Sequence, residues 1–476
     1  MQQAEYERYD AVGLADLVTK GEVSPDELLD AALARLEAVN PKINAVIVNL
    51  ADEARQAIVA GLPEGRFRGV PYLMKDISTQ MRGVRTQAGS ALLKDAPPAA
   101  ADSALVAAYR ASGLVLFGKT NTPEFGLQPI TAPVLYGPTR NPWNLDHTPG
   151  GSSGGAAAAV AGGIVPAAQA SDGGGSIRIP ASCSGLFGMK PSRGRVSMAP
   201  AGEGWGGLSA LHALTRSVRD SAALLDVGCV PQPGDPSLGA RLERPFAEEV
   251  GRDPGRLRIA FHRGTLMTGL SQTEVSFAVD EAAQLCRELG HEVEEAPLPF
   301  DFAMGSMAGD VLVSTSIVAF IEGEAERRGR PVREDEVERL SWRLYQNGKS
   351  LSAYDYGRAL AVIHRLGRDL GAFMQRYDVI LTSTLGTPPL KVGELDSMAT
   401  DAMDYYRQFL AFMPNTQAFN HTGQPAMSVP LAWTPDGLPV GVQFAARTGD
   451  EATLFRLAGQ LEAARPWAHR RPAGLD

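Results

Sequence analysis

Cysteine is nearly missing from this 476-residue chain, which carries only Cys183, Cys229 and Cys286. Three thiols so widely spaced exclude a disulfide framework and a cysteine-rich zinc site, and they fit a reducing cytoplasm. The histidines form no H-E-x-x-H pair, so no metal is expected. No stretch reaches eighteen consecutive apolar residues. The nearest, Ala156 to Ala170, is mostly Ala and Gly and contains Pro166, so no membrane span is expected. Met1 to Asp10 lacks the basic and apolar stretches of a secretory leader. Positive charge is also in short supply. With 45 Lys and Arg against 54 Asp and Glu, the formal net charge is -9, which argues against a nucleic-acid surface.

Glycine is in excess. The 51 glycines are about 11% of the chain, against a usual ~7%. Nine of them fall between Gly150 and Gly175, with eight alanines filling most of the gaps.

Periodicity predicts a mixed α/β protein. A capped helix starts at Ser24-Pro25-Asp26-Glu27, runs through Leu28, Leu29, Ala32, Leu33, Leu36 and Val39, and is expected to stop at Asn40-Pro41. Strand-like runs at Val70–Leu73 and Leu114–Phe117 flank a helical 104–111 segment. Leu257–Phe261, His291–Val293, Val379–Leu381, Ala426–Leu431 and Val440–Phe444 read as strands. Val275–Leu289 and Glu451–Ala464 read as helices. The section from about 302 to 376 reads as a charged helical insertion. With no fixed-period repeat and no linker composition, the expectation is one domain over 1–476, with a core at about 65–200.

Two motifs are decoys. Gly113 to Thr120 matches the nucleotide-binding expression G-x-x-x-x-G-K-[ST], but its variable residues are Leu, Val, Leu and Phe, which favour a buried strand over a phosphate-wrapping turn. Gly150-Gly151-Ser152-Ser153-Gly154 fits the nucleophile elbow G-x-S-x-G in either register. A loop rather than a strand precedes it, and His364 and His421 are histidines late enough in the chain to serve as its base. A Ser-His-Asp triad stays open but is not favoured.

A larger constellation remains. Lys75 ends the apolar run Val70-Pro71-Tyr72-Leu73-Met74, and two serine-bearing glycine runs follow: 150–155, and Ser171-Asp172-Gly173-Gly174-Gly175-Ser176 leading to Arg178. Consecutive glycines let backbone N–H groups converge on one point, as an oxyanion hole requires. A serine nucleophile needs a base. A lysine serves only when neutral, and burial favours that form. A second serine between the two can relay the proton.

The run Gly150 to Pro180 resembles the signature of the Ser-cisSer-Lys amidases. Further matches lie at Gly69-Val70-Pro71 with Lys75-Asp76, 118–125, 141–144, 190–194, 423–426 and 437–443. The resemblance implies a central mixed sheet flanked by helices, with Ser176 as acyl-enzyme nucleophile. Ser152 would be the bridging serine after a cis peptide bond, and Lys75 the base. The N–H groups of Gly173, Gly174, Gly175 and Ser176 would form the oxyanion hole, and Ser153, Asp172 and Arg178 would support the loops. Gly173 departs from the family, which often has a side chain there, and a looser loop is the expected result. Arg140-Asn141-Pro142-Trp143-Asn144, Gly329-Arg330-Pro331, Trp342 and Pro466-Trp467 are similar to the branch of 6-aminohexanoate-cyclic-dimer hydrolases.

The function so implied is hydrolysis of small linear or cyclic amides, ω-amino-acid oligomers among them, without a cofactor. The alternatives are the A-type component of a glutamyl-tRNA amidotransferase and a nucleotide-binding protein. The partners expected are an amide substrate and a second copy of the chain in a homodimer, with neither nucleic acid nor membrane. Met304, Met307, Phe320, Trp342 and Tyr345 are candidates for an apolar acyl pocket, although helical spacing suits them equally to a core.

Overall fold

Runs of β-branched and apolar residues too short for helices become strands here. The computed structural model describes residues 1–266 and 271–475. In chain order the strands are β1 (Val46–Asn49), β2 (Pro71–Lys75), β3 (Val115–Thr120), β4 (Ala167–Asp172), β5 (Phe187–Lys190) and β6 (Ala210–Thr215). They continue with β7 (Arg258–Phe261), β8 (Glu292–Glu295), β9 (Val379–Ser383), β10 (Ala426–Trp433) and β11 (Pro439–Ala446). Together they form one eleven-stranded mixed sheet in the order β1-β3-β2-β4-β6-β5-β10-β11-β9-β7-β8. This is the expected α/β class. Strands β2 to β6 are buried at every position, because helices cover both faces. At one edge, β8 presents three glutamates, which discourage pairing with another chain.

Topology positions the site. β2 runs parallel to both β3 and β4, with Leu73 opposite Ala168. Parallel neighbours end at the same border of a sheet, so Lys75 at the end of β2 meets Ser171 and Asp172 at the end of β4. Crevices beyond the carboxyl ends of parallel strands are the usual ligand sites of α/β sheets.

The helix Gly154–Ala161, buried throughout, packs beneath this border. Its glycines serve close approach: a Cβ on Gly155 would lie 2.4 Å from the Asn121 backbone nitrogen. In the preceding loop, a Cβ on Gly151 would lie 2.3 Å from the Ile130 carbonyl oxygen.

One local expectation changes. The first long helix does not stop at Pro41 but continues over Pro25–Ile43 and closes on Asn44 with φ 49°. Pro41 lies in the last turn, so it costs one helical hydrogen bond and the helix ends two residues later; Asn40 Oδ1 then accepts hydrogen bonds from the Ala45 and Val46 N–H groups, both at 2.8 Å. The section 302–376 is helical as expected, comprising Phe302–Arg328, Arg339–Lys349 and Ala353–Phe373. The first of these is long and apolar enough, by length and composition alone, to cross a membrane. Here it packs on the other two.

Candidate active site

Lys75 is fully buried, an environment that favours its neutral amine. Burial brings the ammonium down from 10.5 to about 7, with the Asp172 charge opposing the fall. Its Nζ donates to Ser152 Oγ at 2.7 Å and to Ser171 Oγ at 3.0 Å. A neutral amine can instead accept the proton of a hydroxyl so placed.

Ser152 follows a cis peptide bond from Gly151. It is approached from above by Gly126, where a Cβ would stand 3.3 Å from Ser152 Oγ. Ser153 turns the other way. Its hydroxyl donates to the Ser171 carbonyl at 3.2 Å and accepts from the Ser171 N–H at 3.3 Å, tying the loop to β4.

The loop 173–176 is held from below by an ion pair with no solvent exposure. Arg178 Nη2 donates to Asp172 Oδ1 at 2.8 Å and its Nε to Oδ2 at 2.9 Å. Burial alone would raise the Asp172 carboxyl, but the adjacent guanidinium outweighs it and holds the group at about 2. Arg178 also reaches the Thr416 carbonyl and the side chains of Gln443 and Asn420. The network therefore joins the loop to a chain segment some 240 residues later.

Gly175 departs from the expected donor set: its N–H already donates to Asp172 Oδ1 at 2.8 Å. The N–H groups of Gly173, Gly174 and Ser176 enter no hydrogen bond among the described residues. The Ser176 hydroxyl likewise enters none, and the residue opens on a cavity that Gly173 and Gly174 also line.

That cavity offers about 100 Å³ of accessible space. Trp205, Leu344, Tyr405, Tyr406 and Phe409 supply apolar and aromatic wall, and Asp310 is the carboxylate in it.

The Amidase family profile matches residues 27–455. The chain belongs to the amidase family. It is 38% identical over 491 residues to the 6-aminohexanoate-cyclic-dimer hydrolase of Paenarthrobacter ureafaciens, covering 98% of this chain and 97% of that protein. A solved structure of 6-aminohexanoate cyclic dimer hydrolase superposes with a TM-score of 0.93 at 36% identity, over 98% of this chain and 99% of the other. The A-type component of the glutamyl-tRNA(Gln) amidotransferase of Thermotoga maritima gives a TM-score of 0.73 at 28% identity, over 98% and 95%. This amidase is therefore an amide-hydrolysing enzyme.

In the amidase the two decoys dissolve. Gly113 to Thr120 spans a turn and the buried strand β3. Lys119 is consumed by Asp76 Oδ1 at 2.8 Å, the Arg85 carbonyl at 2.9 Å and Thr86 Oγ1 at 2.7 Å, leaving nothing to hold a phosphate. His364 is exposed on the helix Ala353–Phe373. His421 does line the cavity, yet it is stacked on Phe300 and burial lowers it to about 4. Neither histidine is bonded to Ser153.

The expected pocket residues are corrected too. Met304, Met307, Phe320, Trp342 and Tyr345 do not line the cavity. Met307 is 71% exposed, while Trp342 and Tyr345 pack on each other with centroids 5.0 Å apart. The helix Phe302–Arg328 instead turns Ser306, Gly309, Asp310 and Val313 inward. Sequence reasoning missed Trp205, although it explains Gly173. A Cβ there would lie 2.6 Å from the indole ring, so glycine lets the ring close against the loop. The loop is braced rather than loosened. The signal available in the chain was Trp205 set among Gly204, Gly206 and Gly207; in the structure the tryptophan takes φ 54°.

Proposed function

We propose that this amidase hydrolyses small linear or cyclic amides, ω-amino-acid amides of the 6-aminohexanoate type among them, through a Ser176 acyl-enzyme. Lys75 in its neutral form takes the proton of Ser152, which takes that of Ser176. Ser176 Oγ then attacks the amide carbon, and the carbonyl oxygen gathers negative charge facing the N–H groups of Gly173, Gly174 and Ser176. When the C–N bond breaks, Ser152 returns a proton to the leaving nitrogen and is reprotonated by Lys75. Water, deprotonated along the same path, attacks the ester carbonyl, releasing the acid and restoring Ser176.

The observation that carries this reading is the buried Lys75 ammonium, 2.7 Å from Ser152 Oγ and drawn down to about 7 by its burial. The higher identity and TM-score with the cyclic-dimer hydrolases than with the amidotransferase component favour a stand-alone hydrolase. Purified Ser176→Ala is expected to lose hydrolysis of hexanamide and of 6-aminohexanoate cyclic dimer while keeping its circular dichroism. Full activity in that variant overturns the assignment. Glutamine hydrolysis that depends on a co-purifying larger partner would point to the amidotransferase role instead.

A further inference from the structure

Asp310 is the only carboxylate among the described residues lining the cavity in front of Ser176, and no lysine or arginine lines it. It lies one turn after Ser306 on the helix Phe302–Arg328. On the same helix Glu322 is bound by Lys349, and Glu324 by Arg327 and Arg328. Asp310 has no hydrogen-bond or ion-pair partner among the described residues.

Asp310 lines the cavity while staying exposed to solvent, and the protein packed around it still pushes the carboxyl up to about 6 by partial loss of hydration. The group is therefore mainly ionised at neutral pH and lacks a counter-charge. Tyr406 borders it closely: burial first, then the Asp310 charge, raise that phenol to about 12. Trp205, Tyr405 and Phe409 complete an aromatic wall. An unpaired carboxylate among aromatic rings attracts a cation twice over, by charge-assisted hydrogen bonding and by the ring faces.

We infer that Asp310 is a specificity-determining residue that binds the ammonium end of an amine-bearing amide while its carbonyl lies at Ser176. The inference rests on the amide-hydrolase reading above and narrows its substrate class. A cyclic dimer of 6-aminohexanoate has both amines locked in amide bonds and carries no cation, so it leaves Asp310 without a partner. An open-chain ω-amino amide supplies one. A carboxylate elsewhere on the substrate finds no lysine or arginine in the cavity and stays in solvent.

Calorimetry with hexylammonium chloride and hexan-1-ol on the full chain at pH 7.5 tests the site without turnover. The wild type is expected to bind the ammonium at least tenfold more tightly, a margin that falls below threefold in Asp310→Asn and is partly kept in Asp310→Glu. Two substrate pairs test its use: 6-aminohexanamide against hexanamide, and N-(5-aminopentyl)acetamide against N-pentylacetamide. In at least one pair the amine-bearing member should have a tenfold lower KM, and Asp310→Asn should erase that difference. Equal binding of the ion and the alcohol by the wild type overturns the inference, as does absence of a KM preference in both pairs. Retention of the preference in a folded Asp310→Asn overturns it as well. If the ion binds selectively but none of the four amides is hydrolysed, the amide-hydrolase reading for these substrates fails instead.

Discussion

The pH dependence of turnover puts a number on the proposed role of Lys75. In water a lysine is neutral about once in three thousand at pH 7, whereas burial from 10.5 to about 7 makes it neutral half the time. That difference is roughly 5 kcal/mol, at about 1.4 kcal/mol for each tenfold change. With hexanamide, a neutral substrate, kcat/KM is expected to fall about tenfold per pH unit below about pH 6 and to level off above about pH 8. Lys75→Arg keeps a positive charge at every accessible pH and should lose at least ~100-fold, typical of removing a general base. Stability carries the opposite signature. The unfolded lysine takes up its proton near 10.5 and the folded one only near 7, so its destabilising effect grows as pH falls between those values and is constant below. Lys75→Met should therefore be the more stable protein at pH 7. Its advantage is about 5 kcal/mol less ~1 for each hydrogen bond lost to Ser152 and Ser171, and it should fade towards pH 10.5. Denaturant melts at both pH values measure it. A rate profile flat from pH 5 to 8, or an inflection near 10, refutes the reasoning.

The other predictions concern the loop that carries Ser176. Asp172→Asn strands the buried Arg178 charge and should destabilise the protein by about 3–5 kcal/mol in denaturant melts at pH 7. Because Asp172 is held at about 2 against an ordinary 3.8, the stability it lends is present above pH 4 and lost as pH falls towards 2. The gap between wild type and variant should close by about 2 kcal/mol over that window. Gly173→Ala drives a methyl into the Trp205 ring and is expected to lower kcat/KM at least tenfold, with Trp205→Ala restoring part of the loss in the double variant. An unaffected Gly173→Ala would mean that the contact does not shape the loop.

Much of this protein was legible along the chain because its determinants are local. The α/β class follows from alternating periodicities. The cluster from Gly150 to Gly175 marks where backbone must pass close to backbone, as Gly151 against Ile130 and Gly155 against Asn121 bear out. Lys75 stood out as a cation ending an apolar run, and the parallel pairing of β2 and β4 brings it to Ser171 at 3.0 Å. The pocket was not legible. Trp205, Asp310 and the pair Tyr406 and Phe409 come from three separate segments, and nothing local distinguishes Asp310 from the paired Glu322 and Glu324 on the same helix.

By itself, then, the sequence determined the family, the fold class and a short set of chemically competent residues, because signature spacing and hydrophobic period are properties of neighbours in the chain. The tertiary structure decided which groups are free to act. It engaged the Gly175 N–H with Asp172, shut Lys119 away with Asp76, and left Asp310 unpaired among aromatic rings. Burial and pairing set charge state and availability, and both depend on what distant parts of the chain bring alongside.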